Sequence, residues 1–554
     1  MRRTTVFRTV ALLAAGVATA LTLTACGSNN QTAKDGSTKV EWFSDVTGWG
    51  PSGWNTTTSP LTRTIKKNFK VDLTYTQPPS DPDTKLGLMI ASRSIPDVMS
   101  ITDPDTIREL LKSKQVWPMK EFLEKYDPSS HLLKDFPTDV KQAIVNQYGG
   151  WYSIPSHTNS ADARKTYPSG SKQWRDIAEY GGNSTFMFNT KMMKQLGITA
   201  QDVSTESGFL AALKKVKAAN LKVGGKSVFP LLLNGNGWID NSLNGLLAYN
   251  FGATAVDSKG NYRMLELSPG YKQAMKFINT TIQAGYLNVD TLTMDENSIK
   301  PYLLGNRVFC YIGNQANFDK SGLPLKSFGP VLADNGAQPT VGQGKTPGIG
   351  WMQTFVGRDA KNPKGIAKML SYATSKKGLI ENEYGGSQNY TISKKGIITR
   401  TTEGTKEFTG PYKSNMILWP FVNTAFDYST TPDPKPGTDA YVANQVMVAY
   451  GKSPKVYRFN SSLLNFVNSN LINPTSDLGM NQSQMKTYLQ SQIGKIVTAS
   501  NATQFNQQYN AMVNTMNKLD VKGIDAFYNK YYQKNVKATG TQIKNVNASV
   551  YDDK

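Results

Sequence analysis

Cysteine is nearly absent from this chain: 554 residues contain two, Cys26 and Cys310. A disulfide-stapled scaffold is therefore excluded, and so is a cysteine-rich metal site. Histidine is equally scarce, with only His131 and His157. That rules out a His-rich zinc centre, and no His-Glu-x-x-His run or Gly-x-Ser-x-Gly elbow occurs. A Ser-His-Asp triad would have to be built on one of those two histidines without an elbow. Phosphate-loop echoes at Gly225-Lys226-Ser227 and Gly344-Lys345-Thr346 lack the leading glycine, where Asn220 and Pro339 stand. Long apolar runs are missing beyond residue 23, so no later segment offers the roughly 20 apolar residues of a membrane span. Acidic residues are in deficit, 41 against 62 Lys and Arg. No cofactor and no metal are expected.

What is present begins at the N-terminus. Arg2, Arg3 and Arg8 precede an apolar segment from Val10 to Leu23, which ends in Leu23-Thr24-Ala25-Cys26. A charged start, a short apolar stretch and a small residue before a cysteine read as an export signal covering residues 1–25. The terminal tetrad resembles a bacterial lipobox, which implies cleavage before Cys26 and acylation of its thiol, and hence a chain on the outer face of the cell membrane, held by lipid. An acylated Cys26 cannot pair with Cys310. Residues 26–38 form a small, polar tether.

Removal of the three signal arginines leaves 59 basic and 41 acidic residues, a net charge of +18. The lysines are spread along the chain, whereas a nucleic-acid groove needs them clustered. The excess reads as a solvated basic surface facing an anionic envelope, and no nucleic-acid partner is expected. The 529 residues that remain exceed one compact core, so two or more lobes are expected.

Lys39–Ser44 alternates as a strand, Leu61, Ile65 and Phe69 sit at helical spacing, and Val71–Thr76 alternates again, giving a β-α-β unit. A helix around 85–93 leads to a strand over 96–101, and Asp103-Pro104 opens the next helix as cap and first-turn proline. This alternation predicts a mostly parallel sheet with helices on both faces. Gly149–Pro155 reads as a hairpin-like turn, Phe186–Asn189 as a strand capping a helix that stops at Gly197, Arg307–Gly313 and Thr354–Val356 as buried strands, and the C-terminal part as helix.

The pieces resemble, in order, the extracellular solute-binding lipoproteins of ABC importers, the large carbohydrate-binding type of family 1. The stretches that carry the resemblance are Ile95–Val98, Val116–Phe122 before Tyr126, Tyr148–Pro155, Phe188–Lys191 ahead of Leu196-Gly197, Gly305–Val308 ahead of Gly313, and Asn362-Pro363 ahead of Tyr384–Gly386. The resemblance implies an α/β protein of two-lobe, periplasmic-binding-protein-like (type II) fold, with a ligand cleft between the lobes and a helical C-terminal extension. It also implies a monomer that binds an oligosaccharide without turnover and delivers it to the membrane subunits of an ABC importer. Lobe I is expected over 39–155 plus 306–360, lobe II over 156–305 plus 361–535, and a tail over 536–554. Some relatives carry a calcium loop. The corresponding acidic turn here, Asp257–Asn261, has a lysine inside and no terminal Glu, so it reads as a hairpin turn without metal.

Sugar recognition needs flat rings for the C–H face of a pyranose and short polar side chains for its hydroxyls. The expected ligand-binding residues are Trp49 and Trp54 in the loop after the first strand, Asp103, Trp151, Trp238 and Asp240 in a Gly/Asn-rich loop, Gln315, Trp351 and Trp419. Each tryptophan has packing as its other reading, and Asp103 could stay locked on backbone N–H groups. The loops 45–59, 234–240 and 348–353 contain no Lys or Arg, which points to a neutral ligand. Two other readings stay open: a surface enzyme acting on polysaccharide, whose carboxylate pair would leave no spacing signature, and a basic envelope adhesin.

Overall fold

The computed structural model describes residue 33 and residues 35–46, 59–78, 81–318, 322–343, 350–409, 417–467 and 471–553. The export signal, Cys26, Trp49 and Trp54 lie outside the described residues.

Fifteen strands are β1 (Thr38–Ser44), β2 (Val71–Thr76), β3 (Val98–Ile101), β4 (Ile154–Pro155), β5 (Ser184–Asn189), β6 (Lys222–Val223), β7 (Lys226–Ser227), β8 (Phe229–Leu233), β9 (Val308–Asn314), β10 (Leu325–Lys326), β11 (Thr340–Gln343), β12 (Gln353–Val356), β13 (Tyr390–Ile392), β14 (Ile398–Arg400) and β15 (Tyr457–Asn460) among the described residues. Two sheets define two lobes. The first runs β2-β1-β3-β12-β4, and the second β10-β5-β9-β8.

Local chemistry explains the first sheet's crossovers. Helix Pro60–Phe69 starts on a proline that needs no donor at that position, buries Leu61 and Ile65 one turn apart, and ends on left-handed Lys70. Helix Pro104–Ser113 is capped by Asp103, whose carboxylate accepts from Thr106 N at 2.8 Å. Because successive strand residues face opposite sides, Trp42 enters one core, with Phe122 and Leu370, while Phe43 enters another, with Met99 and Phe355. Trp42 Nε1 donates to Ser100 Oγ at 2.9 Å, which satisfies the one polar atom of that buried ring. The second sheet repeats the arrangement: Phe186 and Phe188 of β5 join the large core, and Met187 the smaller one.

Several expectations need correction. The sheets are mixed: β1 is parallel to β2 and β3, but β12 is antiparallel to both β3 and β4, and in the second sheet only β8 and β9 are parallel. Gly149–Pro155 is no hairpin. Gly149, at φ +77°, closes helix Thr138–Tyr148, and the chain then runs into edge strand β4. Residues 308–314 pair with β5 and β8 and so belong to the second lobe, not the first. Helix Pro363–Ala373 packs Ile366 and Leu370 into the first lobe's core, which Leu418 and Phe421 also enter, so the chain directly after residue 360 belongs to lobe I and joins the second lobe only further on. A continuous apolar run marks a strand as buried but does not tell which of two sheets it joins.

Among the described residues, strands of the two lobes are joined by the connections β4 to β5, β10 to β12, and the stretch after helix Thr424–Thr430 that leads to β15, which pairs in parallel with β11. The C-terminal helices Asp477–Val497, Ala502–Lys518 and Val521–Thr539 extend the second lobe's core through Met512, Met516, Ile524 and Tyr528. The last residues are docked on that lobe: Asn547 Nδ2 donates to Gly252 O and Gln338 O, and Tyr551 Oη donates to Phe251 O. Among the described residues no helix is long and apolar enough to cross a membrane.

Candidate functional site

Register places one edge of each sheet beside the connecting segments. In the first sheet Ser44 pairs with Ser100, and Gln353 pairs with both Ile101 and Pro155. Asp45, Thr102, Ser156 and Met352 therefore follow one another along the edge at the carboxyl ends of β1, β3 and β4, where open α/β sheets bind ligands. In the second sheet Ser184 pairs with Asn314, and Leu233 with Ile312, so Asn183, Asn234 and Gln315 share an edge.

The first edge holds an acidic knot. Asp45 Oδ2 accepts from Thr102 N (2.6 Å), Thr102 Oγ1 (3.0 Å) and Asp103 N (2.9 Å), while its buried Oδ1 has no hydrogen-bond partner among the described residues. Burial, opposed by those hydrogen bonds, raises the Asp45 carboxyl. Asp83 lies close enough for burial and the charges of Asp103 and Asp45 to push it up to about 6. Asp103 spends Oδ1 on the helix cap and on Thr106 Oγ1 at 2.9 Å.

On the same edge two of the expected tryptophans, Trp351 and Trp419, meet His157, which the sequence did not single out for binding. His157 is stacked on Trp419 (5.8 Å, 10°) and meets Trp351 edge-on (5.6 Å, 83°). Trp351 is 43% exposed. His157 adopts a left-handed φ of +55°, fixed by its N–H donating to Val422 O at 2.6 Å, and its Nδ1 lies 2.9 Å from Ser156 Oγ. Burial pushes the imidazole down to about 4, so the ring is neutral at ordinary pH and acts as a flat apolar plate.

On the second lobe, Asn234 locks the edge: its Oδ1 accepts from Tyr311 Oη (2.6 Å), Asn314 N (3.0 Å) and Asn317 Nδ2 (3.2 Å). Next to it a cavity of about 700 Å³ is lined by Asp240, Asn244, Glu266, Gln343, Tyr249 and Tyr450, among others, and among the described residues by no Lys or Arg. Burial raises the Glu266 carboxyl. The cavity offers carboxylate and amide acceptors beside phenol rings, a lining that suits a hydroxyl-rich, uncharged ligand.

The expected residues divide accordingly. Asp240 lines the cavity, Trp351 and Trp419 form the aromatic cluster, and Asp103 stays on its helix cap. Trp151 is 5% exposed, tilted on Phe136 at 4.9 Å with its Nε1 donating to Ser153 O at 2.9 Å. Trp238 is likewise 5% exposed, in the second lobe's core, and Gln315 is buried in the turn after β9. These three therefore offer little surface to a ligand in this conformation. Asp257–Asn261 is the expected turn: Asp257 Oδ1 accepts from Lys259 N and Asn261 N.

The sequence matches the family model of bacterial extracellular solute-binding proteins over residues 57–380. No curated protein matches it. Among solved structures, the fold is similar to the S. pneumoniae ABC-transporter substrate binding protein FusA in complex with kestose, with TM-score 0.66 at 15% identity over 90% of this chain and 100% of that one. It is also similar to an HMO-binding, ABC-transporter-associated solute-binding protein of Bifidobacterium longum infantis, with TM-score 0.62 at 14% identity over 90% and 99%. A third is the N-glycan transport solute binding protein NgtS of Streptococcus pneumoniae, with TM-score 0.53 at 13% identity over 90% and 99%. These identities speak for the fold, while the family match spans more than half of the chain: it belongs to the bacterial extracellular solute-binding proteins.

Proposed function

We propose that this protein captures a neutral oligosaccharide between its lobes and delivers it to the membrane subunits of an ABC importer, acting as a monomer tethered through lipid on Cys26. The observation that carries the reading is the second-lobe cavity of about 700 Å³, in which carboxylates, amides and rings converge, with no basic side chain among the described residues that line it. An anionic sugar would meet Asp240, Glu179 and Glu266 there and be repelled. The exposed Trp351 face on the opposite lobe suits the C–H face of a pyranose. Contacts made to both lobes would favour the closed arrangement, with motion about the three connecting segments. The relatives named above, with kestose, HMO or N-glycan in their descriptions, support a saccharide as the ligand class.

Calorimetry of the purified protein against a panel of neutral and uronate oligosaccharides tests this. Binding of a neutral member, with the sugar recovered intact, is expected, and affinity should change little with salt. Product formation would favour the enzyme reading. Selective, strongly salt-dependent binding of uronates would overturn neutrality. Metabolic labelling with a palmitate analogue, lost in Cys26→Ser, tests the anchor.

A further inference from the structure

A second cavity, of about 1090 Å³, adjoins the first and shares Glu179, Gln343 and Phe459 with it, yet its chemistry is reversed. Arg164 and Arg175, from the connection between β4 and β5, and Arg458, from β15, line it. Each guanidinium is anchored through Nη1 on a backbone carbonyl: Arg164 on Asn159 O at 2.7 Å, Arg175 on Gly170 O at 3.0 Å, Arg458 on Gly451 O at 3.2 Å. Arg164 Nη1 also reaches Asn159 Oδ1 at 3.3 Å, and Arg175 Nη1 reaches Ser169 O at 3.5 Å. Among the described residues none of the three is paired with a carboxylate. The neighbouring acids are committed elsewhere: Asp176 to Lys452, Asp433 to Ser171 Oγ, and Glu179, which lines the cavity, to Tyr180. Three positioned guanidinium forks against one acid in a concave space concentrate a positive field, and the fork geometry matches a carboxylate, sulfate or phosphate.

The wall between the arginines is aromatic. Trp174 and Tyr428 are stacked at 4.9 Å and 14°, with Trp174 Nε1 donating to Thr431 O at 3.2 Å, so the pair is held rigidly. A bare inorganic ion would fill a small fraction of such a volume and make no use of the rings. We propose that this cavity is a second ligand site, which takes a saccharide carrying an oxyanion: the arginines hold the anionic group, and Trp174 with Tyr428 lines the sugar. The site is independent of the neutral ligand assigned to the adjoining cavity.

Calorimetry of the full mature chain with glucose 6-phosphate, inorganic phosphate and glucose as probes decides it. The expected order is glucose 6-phosphate tightest, phosphate at least about 10-fold weaker, and glucose undetectable at this site. In Arg175→Gln/Arg458→Gln the sugar phosphate should lose about 10-fold or more in affinity per arginine removed, with unchanged thermal stability because both side chains are exposed. Trp174→Ala should reduce glucose 6-phosphate binding and leave phosphate binding alone. Equal affinity for phosphate and glucose 6-phosphate would overturn the saccharide assignment. Binding indifferent to the arginine substitutions, or no binding tighter than about 1 mM, would overturn the site.

Discussion

His157 provides a sharp test of the aromatic cluster, because the structure assigns it a proton affinity opposite to what an exposed histidine shows. Its imidazole, stacked on Trp419 and edge-on to Trp351, is held neutral down to about pH 4, against 6.5 for an ordinary histidine. The unfolded chain takes up a proton as pH falls through 6.5, and the native state refuses it until about 4. The unfolded state therefore binds more protons in that window, and stability falls as pH falls through it, by about 1.4 kcal/mol per pH unit. Across the window this approaches about 3 kcal/mol, and partial solvent contact of the ring lowers it to about 2 kcal/mol. His157→Gln removes the proton-binding group and abolishes this contribution. Urea unfolding of both proteins at intervals between pH 7 and 4.5 should show curves whose difference widens with acidification in favour of the variant. Asp83, raised to about 6, and Asp525, raised to about 7, act with the opposite sign but are common to both proteins and cancel. With only two histidines in the chain, NMR of labelled histidine gives an independent reading. Parallel unfolding curves, or a His157 resonance titrating near 6.5, would refute the reasoning.

Further outcomes follow from the same structure. Asp525, half-buried and accepting from Met264 N at 2.9 Å, is raised by burial to about 7, so its ionisation costs stability as pH rises from 3.8 through 7; Asp525→Asn should be more stable than the parent by about 2 kcal/mol at pH 8, a gain that vanishes below pH 4. Asn234→Ala leaves Tyr311 Oη and Asn314 N without the acceptor they share, and denaturant titration should show a loss of about 2–4 kcal/mol. Lys486 and Asp105 form an exposed ion pair across the lobes at 3.5 Å; Lys486→Ala should change stability by less than about 0.5 kcal/mol, and a larger change would mean that the pair latches the lobes. Trp351→Ala, at a partly exposed ring, should weaken the neutral oligosaccharide by about 10-fold, about 1.4 kcal/mol, in calorimetry, and unchanged affinity would exclude the ring from the site.

The sequence by itself determined what depends on neighbours along the chain. Helix Pro60–Phe69 and strand β2 fall where periodicity and the proline place them, and Asp103 caps its helix because cap and recipient are three residues apart. The order of motifs likewise pointed to the family that the 57–380 match establishes. The tertiary structure alone decided what depends on residues far apart in sequence. Strand β9 could join either sheet by its apolar pattern, and only pairing with β5 and β8 sends it to the second lobe. Trp151, Trp238 and Trp351 all sit in glycine- or asparagine-rich stretches, yet two are buried at 5% and one is open at 43%, because burial is set by what the fold brings against each ring. His157 becomes an aromatic plate only because residues 351 and 419 arrive on either side of it, and Arg458 joins Arg164 and Arg175 only because β15 pairs with β11. Periodicity reports which face of an element is apolar; it carries no information about which distant element will cover that face, and binding sites are built from that second choice.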